Sequence, residues 1–68
     1  MDAYALALRI RAFRKLKGYT QAELASSLGV SIAVLGTIER GTRKADAHIL
    51  RKIAELLSID FEELTSLS

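Results

Sequence analysis

The placement of glycines and helix-capping residues constrains this chain more strongly than any other feature of its sequence. Thr20 and Glu23 have the spacing of a capping box, in which each side chain bonds to the backbone N–H group at the other position. Gly18, Gly29 and Gly41 each follow a segment with apolar residues at helical spacing, as left-handed helix C-caps do. Proline is absent, and no segment alternates apolar and polar residues as a strand does. The sequence therefore predicts short helices joined by tight turns.

Five helices are predicted, each preceded by a capping residue. Their N-caps are Asp2, Thr20, Ser31, Asp46 and Asp60, and Asp60 forms a second capping box with Glu63. The first helix is expected to run to Lys17, and the third over about residues 32–40. The core is predicted from the helical spacing of Leu6, Ile10, Phe13, Leu24, Ala25, Leu28, Val34, Leu35, Ile38, Ile49, Leu50, Ile53, Ala54, Leu57, Leu64 and Leu67. The predicted fold class is all-α, a compact bundle of five short helices in which residues 1–68 form a single domain.

The amino-acid composition argues against several classes of function. Half of the residues are hydrophobic, which suffices for one small core, although a chain of this size buries only about 60 % of its unfolded surface. Cysteine is absent and His48 is the single histidine, so neither a thiolate or multi-histidine metal site nor a Ser-His-Asp triad is expected. No apolar run reaches the roughly 20 residues of a membrane span, and the N-terminus lacks the basic start of a secretory signal. We expect no catalytic activity, no metal or cofactor, and no membrane association.

The charges are distributed unevenly along the chain. Residues 1–44 contain eight basic and three acidic residues, whereas residues 45–68 contain two basic and five acidic residues. A basic first part beside an acidic end is typical of a domain that meets an anionic partner on one side. Ordinary solvated charge on helix faces explains the same pattern equally well. Charge alone therefore leaves both interpretations open.

The segment over about residues 20–40 has the features of a helix-turn-helix motif. Two short predicted helices are joined there by a tight turn, for which Gly29 permits the positive φ angle. Ala25 is small where the two helices would cross most closely, and Leu35 and Ile38 would attach the second helix to the core. Many helical hairpins share this spacing, so the flanking residues decide the interpretation.

Those flanking residues resemble a known family. The stretches TQAELA at residues 20–25, LGVS at 28–31 and IERG at 38–41 are similar to the Cro/C1-type helix-turn-helix family, also called the XRE family. Ile10, Phe13 and Arg14 before the motif, and residues 53–59 after it, match as well, so that the resemblance covers about residues 6–64. It implies a lambda-repressor-like DNA-binding domain that binds double-stranded operator DNA as a homodimer, with its third helix in the major groove. The implied protein is a transcriptional regulator, here a repressor, of the bacterial cytoplasm or a phage-infected host, associated with the nucleoid.

The resemblance also implies roles for individual residues. Gln21 matches a residue that contacts the DNA backbone at the start of the second helix, where the helix N-terminus itself favours phosphate. Positions facing base edges or adjoining phosphates correspond to Ser31, Ile32, Ala33 and Thr37. Arg40, Arg43 and Lys44 lie where the loop after the third helix approaches the DNA backbone in this family. The complete implied DNA-binding set is Thr20, Gln21, Ser31, Ile32, Ala33, Gly36, Thr37, Arg40, Arg43 and Lys44. Arg14 and Glu39 match a partly buried structural ion pair between the first and third helices.

The third helix departs from the family pattern on its outer side. Its solvent positions carry Ile32, Ala33, Gly36 and Thr37, and residues 32–38 contain none of the Arg, Lys, Asn or Gln residues that read guanine or adenine bidentately. Gly36 is expected to weaken the helix by about 1 kcal/mol relative to alanine and to let another backbone come close.

Three explanations for this apolar helix remain open. In the first explanation, the domain binds DNA with modest sequence specificity, which comes from Gln21, Ser31, Thr37, Arg40 and DNA shape. Alternatively, the apolar face binds a regulatory protein, which would make the chain an interaction module such as an antitoxin or anti-regulator. In the third explanation, neighbouring side chains or another subunit cover Ile32 and Val34.

Surplus apolar residues near the C-terminal end predict a dimer interface. Ile59, Phe61 and Leu67 surround the last predicted capping box and exceed what the core requires. A second possibility is that all three pack in the core of the monomer. Two-fold pairing would place two recognition helices roughly 34 Å apart on one face of the duplex.

Overall fold

The computed structural model describes residues 3–66 and contains five helices in that range. In chain order they are α1 (Ala3–Leu16), α2 (Gln21–Leu28), α3 (Ile32–Glu39), α4 (Ala47–Leu56) and α5 (Phe61–Thr65). Between residues 3 and 66 no strand is present, and the predicted all-α bundle of five short helices is confirmed. Helices α1 and α3 each end one residue earlier than expected. The predicted cap Asp2 and the predicted core residue Leu67 lie outside the described residues.

Local hydrogen bonds explain where most of the helices begin. Thr20 Oγ1 accepts from the N–H of Glu23 at 3.1 Å, and the N–H of Thr20 donates to Glu23 Oε1 at 2.9 Å, so the predicted capping box is formed. The backbone N–H of Thr20, which donates to the Glu23 carboxylate, is the main cause of a lowered pKa of that carboxyl group, and the nearby Thr20 side chain lowers the pKa further. Ser31 Oγ and Asp46 Oδ1 likewise accept from backbone N–H groups three residues later. These caps fix the starts of α2, α3 and α4.

The second predicted capping box is wrong. Asp60 is the N-cap of α5, as expected, but its side chain makes no capping hydrogen bond. A box of Asp60 and Glu63 would bring two carboxylates together, and like charges three residues apart at a helix repel each other, whereas Thr20 is neutral. The other end of α5 is held by α1 instead. Arg9 donates from Nε to the carbonyl oxygen of Leu64 at 3.0 Å and from Nη2 to that of Glu63.

The core forms where all five helices meet. Its largest fully buried side chains come from every helix or its immediate end, and they are Ile10, Leu24, Leu35, Ile53, Leu57 and Leu64. The predicted core residues Phe13, Val34 and Ile49 are only partly buried and pack against its edge. Helix α1 packs on both α3 and α5, and α2 packs on α3 and α4. Helix α3 is therefore held between the first two helices.

The turn between α2 and α3 gives the pair its angle. Gly29 has a φ of 77°, and the N–H groups of Gly29 and Val30 donate to the carbonyl oxygens of Ser26 and Ala25. The two helices are bent by 109° relative to each other, within the roughly 90–120° range of helix-turn-helix pairs. Among the described residues no single helix is long and apolar enough to cross a membrane. The bent pair of α2 and α3 is long and apolar enough only when the two helices are counted together.

A close backbone approach occurs at Gly41 and not at Gly36, where the sequence predicted it. A Cβ atom added to Gly41 would lie 2.8 Å from Cα of Tyr4, so the start of α1 passes directly over the turn after α3. At Gly36 the added atom would meet the Arg40 side chain, not a backbone. The sequence missed this difference because the segments are about 37 residues apart along the chain.

We expect Gly41→Ala to destabilise the fold more than Gly18→Ala. Both glycines have positive φ angles, 77° and 82°, so both variants bear the roughly 1–2 kcal/mol cost of a left-handed non-glycine residue. Only Gly41 also faces a collision, because an added Cβ at Gly18 meets nothing within 4 Å. Overpacking of this kind costs about 1–3 kcal/mol more. Urea denaturation of the two variants measures the difference, and equal losses would show that Tyr4 does not press on Gly41.

Candidate nucleic-acid interface

Helix α3 turns one side to the solvent. The outer residues Ile32, Ala33, Gly36, Thr37 and Arg40 recur at helical spacing and share one face. Ile32 is 52 % exposed, Ala33 and Arg40 are exposed, and Thr37 is half-buried. The opposite side is buried and consists of Leu35, Ile38 and Glu39. The outer face is therefore available to a partner, and Ile32 is not covered by neighbouring side chains within the described residues.

A buried ion pair fixes the inner side of α3. Arg14 Nε lies 2.7 Å from Glu39 Oε2, and Arg14 Nη2 lies 3.1 Å from Glu39 Oε1, in the bidentate arrangement that arginine and carboxylate favour. The two side chains are only 8 % and 2 % exposed. Arg14 Nη1 also donates to the carbonyl oxygen of Tyr19 at 2.9 Å. The two predicted partners thus meet and connect α1, α3 and the loop before α2.

Gln21 is joined to the same carboxylate. Its Nε2 donates to Glu39 Oε1 at 3.1 Å, which holds this half-buried side chain at the first residue of α2. The sequence suggested a contact between Gln21 and the DNA backbone, but it did not suggest this bond. Gln21 is the first residue of α2, and Glu39 fixes the orientation of its amide group. The amide therefore stays close to the start of α2, where the backbone N–H groups favour phosphate binding.

The loop after α3 folds back onto the helix and is basic. The carbonyl oxygen of Thr37 accepts from the backbone N–H groups of Thr42 and Arg43 at 3.1 and 3.2 Å. Arg43 Nε also donates to Thr37 Oγ1 at 3.2 Å. Arg40, Arg43 and Lys44 are all exposed, and residues 40–45 contain no acidic side chain. Positive charge is thereby concentrated at the C-terminal end of α3, which the helix dipole also favours.

The predicted DNA-binding residues fall into two neighbouring groups. Thr20 and Gln21 lie at the start of α2, and the others lie on α3, at its N-cap Ser31 or in the loop that follows it. Gln21 connects the groups through Glu39. The structure thus brings the ten positions to the two helices of the motif and its following loop.

The predicted dimer residues lie elsewhere, where α4 meets α5. Ile59 and Phe61 are half-buried and pack against the edge of the core. The Arg51 guanidinium lies 4.4 Å from the centre of the Phe61 ring, a cation–π distance. Leu67, the third predicted interface residue, lies outside the described residues.

Sequence reasoning missed an exposed apolar ridge on α1. Tyr4, Leu8 and Leu16 are 64 %, 49 % and 75 % exposed, and all three lie at multiples of four residues. That spacing is visible in the sequence. It was missed because a separate stripe on the same helix, which contains Leu6 and Ile10, already explains why the helix is amphipathic. Within residues 3–66 no group of three His, Asp or Glu side chains is placed to hold a metal ion.

Comparison with known proteins places this geometry in a family. The helix-turn-helix family model matches residues 10–64. The uncharacterized HTH-type transcriptional regulator YazB of Bacillus subtilis (strain 168) is 52 % identical over 64 residues, which cover 94 % of this chain and 93 % of YazB. The chain therefore belongs to the helix-turn-helix family of transcriptional regulators.

Two solved structures specify the type of regulator. The restriction-modification controller protein C.AhdI from Aeromonas hydrophila has a TM-score of 0.87 and 33 % identity, covering 93 % of this chain and 91 % of that one. SinR of Bacillus subtilis, the master regulator for biofilm formation, was solved in complex with DNA; it has a TM-score of 0.82 and 32 % identity, covering 90 % and 98 %. The five helices are those of the lambda-repressor-like, Cro/C1-type regulators.

We expect replacement of both partners of the Arg14–Glu39 pair to cost much less stability than the sum of the two single replacements. Glu39→Ala leaves the Arg14 charge buried without its partner, which costs roughly 3–5 kcal/mol of unfolding free energy. The double variant Arg14→Met with Glu39→Leu should lose much less than the sum of its single changes. Glu55→Ala, an exposed acid on α4, serves as the control and should stay within about 0.5 kcal/mol of wild type. Thermal and urea unfolding provide the measurement, and a Glu39→Ala melting temperature near wild type would contradict the prediction.

Proposed function

We propose that this chain represses transcription by binding operator DNA as a homodimer, with α3 in the major groove. The observation that carries the proposal is the solvent-facing side of α3, flanked by the exposed cations Arg40, Arg43 and Lys44. An α-helix fits the major groove, which is about 12 Å wide. The SinR structure in complex with DNA supports the same assignment by similarity. The proposed place of action is the bacterial cytoplasm, where operator DNA is accessible.

In this proposal two separate groups hold the phosphate backbone. The start of α2 contributes backbone N–H groups together with Thr20 and Gln21, and the loop after α3 contributes positive charge. Both sites lie beside the C-terminal end of α3, so their contacts to phosphates would set how deeply the helix enters the groove. The cations also accelerate association with DNA at low salt.

Lys44→Gln should weaken binding to all DNA sequences by a similar factor. A lysine that contacts one phosphate contributes about 1 to the slope of log affinity against log salt concentration, so its loss should reduce that slope by about 1. Lys52→Gln is the matched control because Lys52 is an exposed lysine on α4 whose ammonium lies 3.4 Å from the Leu28 carbonyl oxygen. Electrophoretic retardation at salt concentrations of about 50 to 200 mM measures the DNA affinity of both variants and gives the salt slope of each. Equal slopes for Lys44→Gln and wild type would remove Lys44 from the interface.

The dimer in this proposal pairs through the junction of α4 and α5. Ile59 and Phe61 offer partly exposed apolar surface there, and the domain measures 29 × 24 × 20 Å. Two copies in contact along the 29 Å dimension would have their centres about 29 Å apart, somewhat less than the helical turn of DNA, roughly 34 Å, that separates two half-sites. We propose that the dimer binds two such half-sites on one face of the duplex.

Ile59→Ser should weaken dimerisation, whereas Leu8→Ser should not. Both side chains are aliphatic and partly exposed, but Leu8 belongs to the apolar ridge of α1 and not to the chain that joins α4 and α5. Sedimentation equilibrium at tens of micromolar, with and without operator DNA, measures the dissociation constant of each variant. A change with Leu8→Ser alone would move the interface to α1, and a strictly monomeric wild-type protein would eliminate the homodimer.

A further inference from the structure

Two arginines that follow α3 supply the outer face of that helix with the groups its own sequence lacks. Residues 32–38 contain no side chain able to form paired hydrogen bonds with a purine edge. Arg40 and Arg43 come after this stretch, yet both guanidinium groups fold back along the helix. The face that appears apolar in the sequence therefore carries two cationic groups in the structure.

The Arg40 guanidinium lies over Gly36. The two residues are one helical turn apart on the same ridge, and a Cβ atom added to Gly36 would lie 3.2 Å from Arg40 Nη1 and 4.0 Å from Cζ. No other neighbour would come within 4 Å of that atom. Gly36 lies on the outer face but is buried because the Arg40 side chain covers it. Arg40 itself is exposed. The absence of a side chain at residue 36 thus makes room for the guanidinium.

The Arg43 guanidinium is held at the adjacent position, Thr37. The Thr37 hydroxyl donates to the carbonyl oxygen of Val34 at 2.6 Å, which leaves its oxygen free to accept from Arg43 Nε at 3.2 Å. The backbone N–H of Arg43 also donates to the carbonyl oxygen of Thr37. One bond thus holds the guanidinium and the other holds the backbone of the same residue. Among residues 3–66, neither terminal nitrogen of Arg43 has a hydrogen-bond partner.

We propose that Arg40 and Arg43 read guanine bases in the operator, with Gly36 and Thr37 as their positioning residues. Each guanidinium presents a planar set of donors that matches the O6 and N7 acceptors of guanine in the major groove. The inference rests on the proposed function, since it requires α3 to enter that groove. It goes beyond that proposal because it names guanine as the base that Arg40 contacts, and because it assigns base contact to Arg43, which the family resemblance placed on phosphates. Each half-site accordingly contains a G·C pair for each arginine.

The same assignment explains why a glycine occupies the middle of a DNA-facing helix. Glycine lowers helix stability relative to alanine, and no positive φ angle requires it at residue 36. Its observable role here is to leave space for Arg40. Alanine at this position would push the guanidinium outward by a few tenths of an ångström and so alter its approach to a base.

The decisive experiment compares Arg40→Gln with Lys44→Gln. Both variants remove one positive charge from the same loop region, so both should weaken non-specific binding alike. Glutamine pairs with adenine, so Arg40→Gln should also move the preference at one operator position from guanine toward adenine, by about tenfold. Selection from a random oligonucleotide pool with the wild-type protein defines the half-site, and competition binding to its single-base variants measures the preference. Lys44→Gln should leave every base preference unchanged.

Two further variants test the positioning residues. Gly36→Ala should reduce the guanine preference at the Arg40 position although Arg40 is present, and thermal unfolding should show an intact fold. Thr37→Val removes the acceptor of Arg43 and should reduce preference at the position that Arg43→Gln changes. Unchanged preferences in these two variants would overturn the positioning roles.

The outcomes separate this inference from the proposed function. If Arg40→Gln, Arg43→Gln and Lys44→Gln weaken all sequences alike without changing any base preference, the arginines contact phosphates and the inference is wrong while operator binding stands. If the wild-type protein retains no DNA of any sequence at low salt, the proposed function fails and this inference fails with it. A guanine-to-adenine change confined to the arginine variants supports both.

Discussion

The buried carboxylate of Glu39 is the interaction on which the rest of this structure depends. It accepts three hydrogen bonds, two from Arg14 on α1 and one from Gln21 at the start of α2. A charge this deeply buried is tolerated only when its partners are in place, so the bonds impose one relative arrangement on three helices. A purely apolar contact has no such directional requirement. The outer face of α3 and the first turn of α2 consequently keep a fixed relationship to each other, which a surface that binds a regular duplex requires.

Backbone geometry around α3 reinforces that arrangement. The left-handed Gly29 and the N-cap Ser31 set the 109° turn from α2, and the carbonyl oxygen of Thr37 gathers the first residues of the following loop. Beyond that loop, Gly41 lies against the backbone at the start of α1. Each of these contacts lies at an end of α3, so none of them occupies its outer face. The helix is fixed at both ends and along its buried side, while its opposite side remains available.

The outer face shows how stability and recognition compete within one short helix. Gly36 is a poor helix former, and Ile32 is a large apolar residue that is 52 % exposed. Neither choice stabilises the isolated domain. Gly36 leaves space at the middle of the face, and the charged groups of that face come from Arg40 and Arg43 at its edge. The flexible cationic side chains of Arg40 and Arg43 are thus held against a rigid helix. This lowers the conformational entropy that they lose when a partner binds.

The sequence by itself determined the helices, their order and most of the core, because capping and hydrophobic periodicity act within about four residues. Thr20, Gly29, Ser31 and Asp46 are cap residues as predicted. The family motif also brought Arg14 and Glu39 together as candidates. Only the tertiary structure decided that Gly41 rather than Gly36 would meet a backbone, and that Arg40 and Arg43 would lie over α3. Long side chains have many rotamers, and which one is adopted depends on neighbours brought close by folding. Distant segments such as Tyr4 and Gly41 likewise meet only after the helices have packed, so no local pattern records their contact.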